Sequence, residues 1–139
     1  MSADAFVAEA RALIGVPWRH RGRSLRGLDC VGLVALAGVA AALPNARDVS
    51  GYGREPWDDQ LRKGCRERWR EPMAEPRVGD IAIVRWGVRE PSHMAIVGAH
   101  PLGGLTFIHA HNLHGVVEQR LDARLTRAIV EVYRPWRDE

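Results

Sequence analysis

The chemistry open to this chain rests on two cysteines, Cys30 and Cys65, and on six histidines. Cys30 stands directly before Val31-Gly32-Leu33-Val34, the start of an apolar run that reads as a buried helix over 30–43. A cysteine in the first turn of a helix meets free backbone N–H groups and the positive end of the helix dipole. Both favour the thiolate, which is the nucleophilic form. The same N–H groups can hold an oxyanion. The position also suits a small buried hydrophobe, as cysteine often is, so position alone leaves two readings open. Cys65 serves as an internal control. Trp57, Leu61, Cys65 and Trp69 fall four apart on one face of a predicted helix, which makes Cys65 a core residue.

Two histidines gain weight from alternation. His93, Ala95 and Val97 share one face of a predicted strand, and Leu105, Phe107 and His109 share one face of the next. A hairpin pairing Val97 with Leu105 would put His93 directly opposite His109, with Cβ atoms about 4.5–5.5 Å apart. One ring could then orient the other, and the oriented ring could take a proton from a cysteine. That is the nucleophile, base and orienter of covalent catalysis. His109, His111 and His114 form a His-x-His-x-x-His cluster that raises zinc as an alternative. His114 falls in a predicted turn before Gly115, and no nearby cysteine or carboxylate completes a ligand set, so no metal and no cofactor is expected. His20 and His100 lie in loops and read as solvent-facing.

These residues need elements to position them. Residues 4–14 read as a helix, with Phe6, Ala10 and Leu13 at helical spacing, Asp4 or Ser2 as the cap, and Gly15 and Pro17 as the stop. Residues 16–28 form an Arg- and Gly-rich loop, and residues 44–56 are irregular. A third helix is predicted from Trp57 to Trp69. Five short strands follow: Ile81–Trp86, His93–Val97, Leu105–Ala110, Val116–Leu121 and Ile129–Tyr133. Helices first and strands second imply an α+β domain with a mainly antiparallel sheet, one domain over 1–139.

Composition narrows the class. Lys plus Arg number 20 and Asp plus Glu 17, a formal charge of +3, and Lys63 is the only lysine. A basic balance suits an acidic partner such as an anionic wall polymer or nucleic acid, but a plain solvated surface accounts for it more simply. Nucleic acid is disfavoured, because the basic excess is small and no aromatic residues interleave a basic stripe. Val31–Leu43 has 13 residues and two glycines, too short to cross a bilayer, so no membrane insertion is expected. Met1–Gly15 carries Asp4, Glu9 and Arg11 within its apolar pattern and does not read as a signal peptide, which implies synthesis in the cytoplasm without one.

Five segments in order resemble the NlpC-type cell-wall cysteine peptidases, a family with a compact papain-like fold. Ile14-Gly15-Val16-Pro17-Trp18 resembles the entry loop, and Gly27-Leu28-Asp29-Cys30-Val31-Gly32-Leu33-Val34 the nucleophile segment. Pro76-Arg77-Val78-Gly79-Asp80-Ile81 resembles the turn into the first core strand. Ser92-His93-Met94-Ala95-Ile96-Val97 resembles the strand of the catalytic histidine, and Phe107-Ile108-His109-Ala110 that of the third polar residue. The resemblance implies helices packed on a sheet of about five strands, with Cys30 as nucleophile, His93 as base and His109 as orienter. It places Trp18, Asp29 and Arg23 on the oxyanion and substrate side. Three features depart from the family pattern. Trp18 replaces the usual tyrosine and can donate only through its indole N–H. Val31 replaces the common serine, and the loop from Gly98 to Gly104 is longer.

The resemblance further implies hydrolysis of peptidoglycan stem peptides, after a γ-linked D-glutamate and before a diamino acid, through a thioester acyl-enzyme. Arg19, Arg21, Arg23 and Arg26 could grip substrate carboxylates or simply form a solvated basic loop. The compact chain is similar to variants carried in phage tails, which would make phage tail proteins partners and the virion tail or the cell wall its place. Two rivals stand beside this reading. One is an amidase, thioesterase or acyltransferase using the same Cys30–His93 pair. The other is a non-catalytic tail component or wall-binding module.

Overall fold

A computed structural model of the chain describes residues 2–43, 60–69, 72–85 and 93–136; side chains are described throughout these except at 60–63 and 68. The irregular stretch at 44–56, the predicted helix start at Trp57, the strand end at Trp86 and the motif residue Ser92 lie outside the described residues.

Helix α1 (Ala3–Arg11) begins at Ser2, whose side chain accepts the N–H of Ala5. That satisfies one of the donors a helix start leaves open, so Ser2 rather than Asp4 is the cap. The Arg-rich loop contains a small hairpin, β1 (Arg23–Ser24) with β2 (Gly27–Leu28). Helix α2 (Cys30–Ala40) follows directly, and α3 spans Gln60–Trp69. Cys65 and Trp69 are both buried on α3, the core role expected of that face.

The strands are β3 (Ile81–Val84), β4 (His93–Ala99), β5 (Leu105–His111), β6 (Gly115–Arg120) and β7 (Ile129–Tyr133). They form one antiparallel sheet in the order β6-β5-β4-β3-β7. Between β6 and β7 runs a short helix, α4 (Ala123–Arg127), capped by Asp122 through the N–H of Leu125. The sequence reading lacked α4, because five residues show no helical period.

The sheet is buried on both faces. One face packs Ile81, Ile83, Ile96 and Ile108 against Phe6 of α1 and Leu33 of α2. The other packs Ala82, Val84, Ala95, Val97 and Phe107 against Leu125 of α4. This explains why β3 reads as an unbroken apolar run rather than an alternating one. Glu118 of β6 ties α1 to the sheet: Arg11 pairs with both of its carboxylate oxygens at 2.9 and 3.0 Å and also donates to Ala99 O.

The β4–β5 register differs from the expected one by two residues. Val97 faces Phe107, and Leu105 faces Ala99. Gly103 and Gly104, at φ +100° and +85°, let the chain turn back at once, so β4 extends to Ala99 and the loop shrinks to 100–104. A shift of two preserves the face of every side chain, whereas a shift of one would invert them. His93 and His109 therefore stay on the same side but meet diagonally instead of directly opposite.

Candidate active site

Cys30 opens α2 because Asp29 closes it. Asp29 is buried, and its Oδ1 accepts the N–H of Gly32 at 2.8 Å, the standard N-cap contact. Its Oδ2 accepts the N–H of Arg21 at 2.9 Å, and Arg23 Nη1 lies 3.0 Å from Oδ1 while also donating to Gly22 O. One carboxylate thus fixes the helix start and the preceding loop together. Gly32 completes the junction, since a Cβ there would collide with Gly22 O. Asp29 and Arg23, expected on the substrate side, are engaged with each other in holding this loop on α2.

Trp18 arrives by a different route. Pro17 O accepts the N–H of Leu28 and Leu28 O accepts that of Arg19, which lays Trp18 alongside Leu28, two residues before Cys30. Trp18 is half-buried against the helix-side core.

The backbone N–H groups of Met94, Val31 and Cys30 itself act on the Cys30 sulfur. Each favours the thiolate, as the helix-start argument requires. Burial outweighs them, and the Asp29 carboxylate adds to it, so the thiol is pushed up to about 12. Of the two effects of its position, burial in the core and the donors of the helix start, burial is the larger on the resting thiol. Met94 directly follows His93, so its N–H brings the cysteine to the start of β4, beside the first histidine.

His93 and His109 form a bonded pair. His93 Nε2 and His109 Nδ1 are 2.9 Å apart, with ring planes at 88° and centroids 5.0 Å apart. The pair sits where the β4–β5 rungs, which run from Ala99↔Leu105 to Ile96↔Ile108, have ended. Burial, with smaller effects of His109 and His111, depresses His93 to about 3. His109 is only 1% exposed and is likewise lowered by burial. Thiol and imidazoles are therefore all uncharged at neutral pH.

One residue escaped the sequence reading. Gln119 Oε1 lies 2.6 Å from His109 Nε2. Gln119 pairs with Phe107 and Val117 with His109, so Gln119 is diagonal to His109 on the same face. The signal available was the turn before Gly115, whose φ of +73° closes the β5–β6 hairpin and fixes that register.

His111 and His114 form a second pair, with the His111 ring edge-on to His109 at 6.2 Å. Their rings stack at 4.7 Å, and His111 Nδ1 accepts the N–H groups of Leu113 and His114 within its own turn. Among the described residues no group of three His, Cys, Asp or Glu side chains is placed to hold a metal ion. No described helix is long and apolar enough to cross a membrane.

No family model matches the chain. It is 26% identical over 110 residues to the probable peptidoglycan endopeptidase LytE of Bacillus subtilis (strain 168). That alignment takes in 79% of this chain and only 28% of the relative's length. Among the solved structures that share its fold are two crystal structures. The NlpC/p60 domain of the peptidoglycan hydrolase SagA superposes with a TM-score of 0.61 at 21% identity, over 96% of this chain and 98% of that one. An NlpC/P60 family protein from Bacillus cereus ATCC 10987 gives 0.69 at 17% identity, over 98% of this chain and 41% of that one. The fold is that of NlpC/p60 domains, as the α+β reading anticipated.

Proposed function

We propose that residues 1–139 act as one NlpC/p60-type domain that hydrolyses amide bonds in peptidoglycan peptides, with Cys30 as nucleophile, His93 as base and His109 as orienter. The observation that carries this reading is the hydrogen-bonded pair of half-buried His93 and buried His109 at the start of β4, where the Met94 N–H acts on the Cys30 sulfur. The fold shared with NlpC/p60 domains and the likeness to a peptidoglycan endopeptidase support the choice of substrate.

The resting site holds an uncharged thiol and an uncharged imidazole. As the sulfur attacks the substrate carbonyl, its proton passes to His93, so charge forms only while the substrate shields the site from water. The carbonyl oxygen gains negative charge beside the backbone N–H groups at the start of α2, with the Trp18 indole on the same side. His93 then gives the proton to the leaving amine, the C–N bond breaks, and a thioester remains on Cys30. Water, deprotonated by His93, attacks the thioester and frees the acid and the thiol. The scissile bond in this reading follows γ-linked D-glutamate and precedes a diamino acid. Asp29 and Arg23 serve by holding the Cys30 loop.

The test is digestion of purified peptidoglycan, with the fragments identified by mass spectrometry. Cys30→Ala abolishes fragment release with the fold intact, and Cys65→Ala leaves it unchanged. Full release by the Cys30 variant overturns the nucleophile assignment. Binding of peptidoglycan without any fragment from the wild-type chain favours the non-catalytic module instead.

A further inference from the structure

We infer that Gln119 is a positioning residue that sets the tautomer of both histidines and thereby makes Nδ1 of His93 the basic atom. This rests on the peptidase reading and adds to it the identity of the proton-accepting nitrogen.

A line of hydrogen bonds runs inward from the edge strand. Gln119 presents Oε1 to His109 Nε2 at 2.6 Å. An amide oxygen only accepts, so His109 Nε2 must carry the hydrogen. Burial keeps His109 uncharged, and a neutral imidazole has one N–H. His109 Nδ1 is then a bare lone pair. Its partner at 2.9 Å, His93 Nε2, must therefore be the donor. His93 is uncharged as well, which leaves its Nδ1 without a proton. Nδ1 is also the ring nitrogen nearest the backbone, and the Cys30 sulfur meets the backbone N–H of the next residue, Met94. Three side chains from three adjacent strands thus determine one lone pair.

The same chain works in reverse when the proton arrives. Once His93 Nδ1 takes the Cys30 proton, its Nε2–H is a cationic donor to His109 Nδ1, and His109 Nε2–H still has an acceptor in Gln119. No group has to rotate. Among the described residues, His111 of β5 is a further titratable side chain acting on both rings, and it opposes their protonation.

Gln119 is exposed on the edge strand β6, so substitutions there leave the core untouched. They can be chosen by hydrogen-bond sense. Gln119→Glu only accepts and keeps the tautomers. Gln119→Lys only donates, which demands a lone pair on His109 Nε2 and, two bonds inward, moves the hydrogen of His93 onto Nδ1. Gln119→Leu does neither.

Three measurements separate the outcomes. Long-range 1H–15N spectra of the histidine-labelled chain should show His93 protonated at Nε2 and bare at Nδ1, and the Lys variant should reverse this. Alkylation of Cys30 by iodoacetamide, in a Cys65→Ala background, should slow about 10- to 100-fold in the Lys and Leu variants and change less than about 3-fold in the Glu variant. In turnover, the Lys and Leu variants should lose kcat by the same factors at unchanged KM. The Glu variant should move the acid limb of the pH profile upward by about one unit, because its carboxylate stabilises a charged His109. A wild-type His93 bare at Nε2, or equal losses in the Glu and Lys variants, overturns the inference while leaving the peptidase reading intact. A chain that releases no peptidoglycan fragments defeats the peptidase reading, and the spectra and alkylation rates still decide the role of Gln119.

Discussion

Two pairs of histidine rings lie within a few residues of each other on β5 and its neighbours, and they differ in every property that matters for chemistry. His93 and His109 meet edge to face at 5.0 Å, joined nitrogen to nitrogen, with His109 sealed from solvent. His111 and His114 stack nearly flat at 4.7 Å, with His114 exposed and the Nδ1 of His111 committed to two backbone N–H groups of its own turn. Residue type and proximity are shared. What separates the pairs is that the first is desolvated and has a further partner, Gln119, behind it, so its protons are placed. The second spends its hydrogen bonds on local backbone geometry.

The strongest way to break this contrast is to truncate one ring from each pair and compare rates on one peptide substrate. In this reading His93 accepts the Cys30 proton and returns it to the leaving amine, so His93→Ala should cost on the order of 10³-fold or more in kcat/KM. His111→Ala and His114→Ala should stay within about twofold, because neither ring is hydrogen-bonded into the relay and His111, at 6.2 Å from the His109 ring, acts on it only through charge. A His111→Ala variant as damaged as His93→Ala, beside a silent His109→Ala, would show that the wrong pair has been given the work.

A smaller effect sharpens the roles inside the first pair. His109 offers His93 a single acceptor, its Nδ1. His109→Asn and His109→Gln present an amide oxygen to the same donor and should lose about 10-fold in kcat. His109→Ala frees the His93 ring to turn and should lose about 100-fold. Equal rates for Asn and Ala would mean that His109 acts through charge or packing rather than as an acceptor.

Much of this site was readable from the sequence, and the limits have physical causes. Cys30 before an apolar run and two histidines on alternating strands are local patterns, and local patterns survive folding. Element types held for the same reason. The β4–β5 register did not, because it depended on how tightly Gly103 and Gly104 close a loop. The face assignment survived only because the error was even. The thiol's upward shift was hidden, since burial belongs to the packing of α2 on the sheet and not to residues 27–34. Gln119 was hidden because a glutamine near a strand end carries no chemical signature until a register places it beside His109.

Protonation gives a third test, read in stability. Both rings of the first pair are lowered by burial, His93 to about 3 from an ordinary 6.5. Below pH 6.5 the unfolded chain binds protons that the folded pair refuses, so stability is fully present above that pH and falls as the pH drops. The slope is about 1.4 kcal/mol per pH unit for each ring that stays neutral. Cys30 does the opposite at the alkaline end: above its ordinary 9.0 the unfolded thiol loses a proton that the folded one keeps, and stability falls again. Thermal unfolding should thus show a plateau between about pH 6.5 and 9. His93→Gln should flatten the acid side and Cys30→Ala the alkaline side. An acid slope unchanged in His93→Gln would place the responsible groups elsewhere.

The smallest effect belongs to the second pair, and it concerns the backbone. His111 Nδ1 accepts the N–H of Leu113 at 3.0 Å and that of His114 at 3.3 Å, closing the turn that leads into Gly115. A turn closed by its own side chain needs an acceptor of the right reach, not an imidazole. Asparagine supplies one, since its side-chain oxygen readily bonds a backbone N–H two residues on. His111→Ala leaves both N–H groups to solvent and should cost about 0.5–1 kcal/mol of stability, with turnover unchanged. His111→Asn should recover most of that loss. If Asn and Ala are equally destabilised, the ring matters for its stacking on His114 and not for its nitrogen. If His111→Asn lowers turnover while stability recovers, the second pair shares in the chemistry and the contrast between the pairs fails.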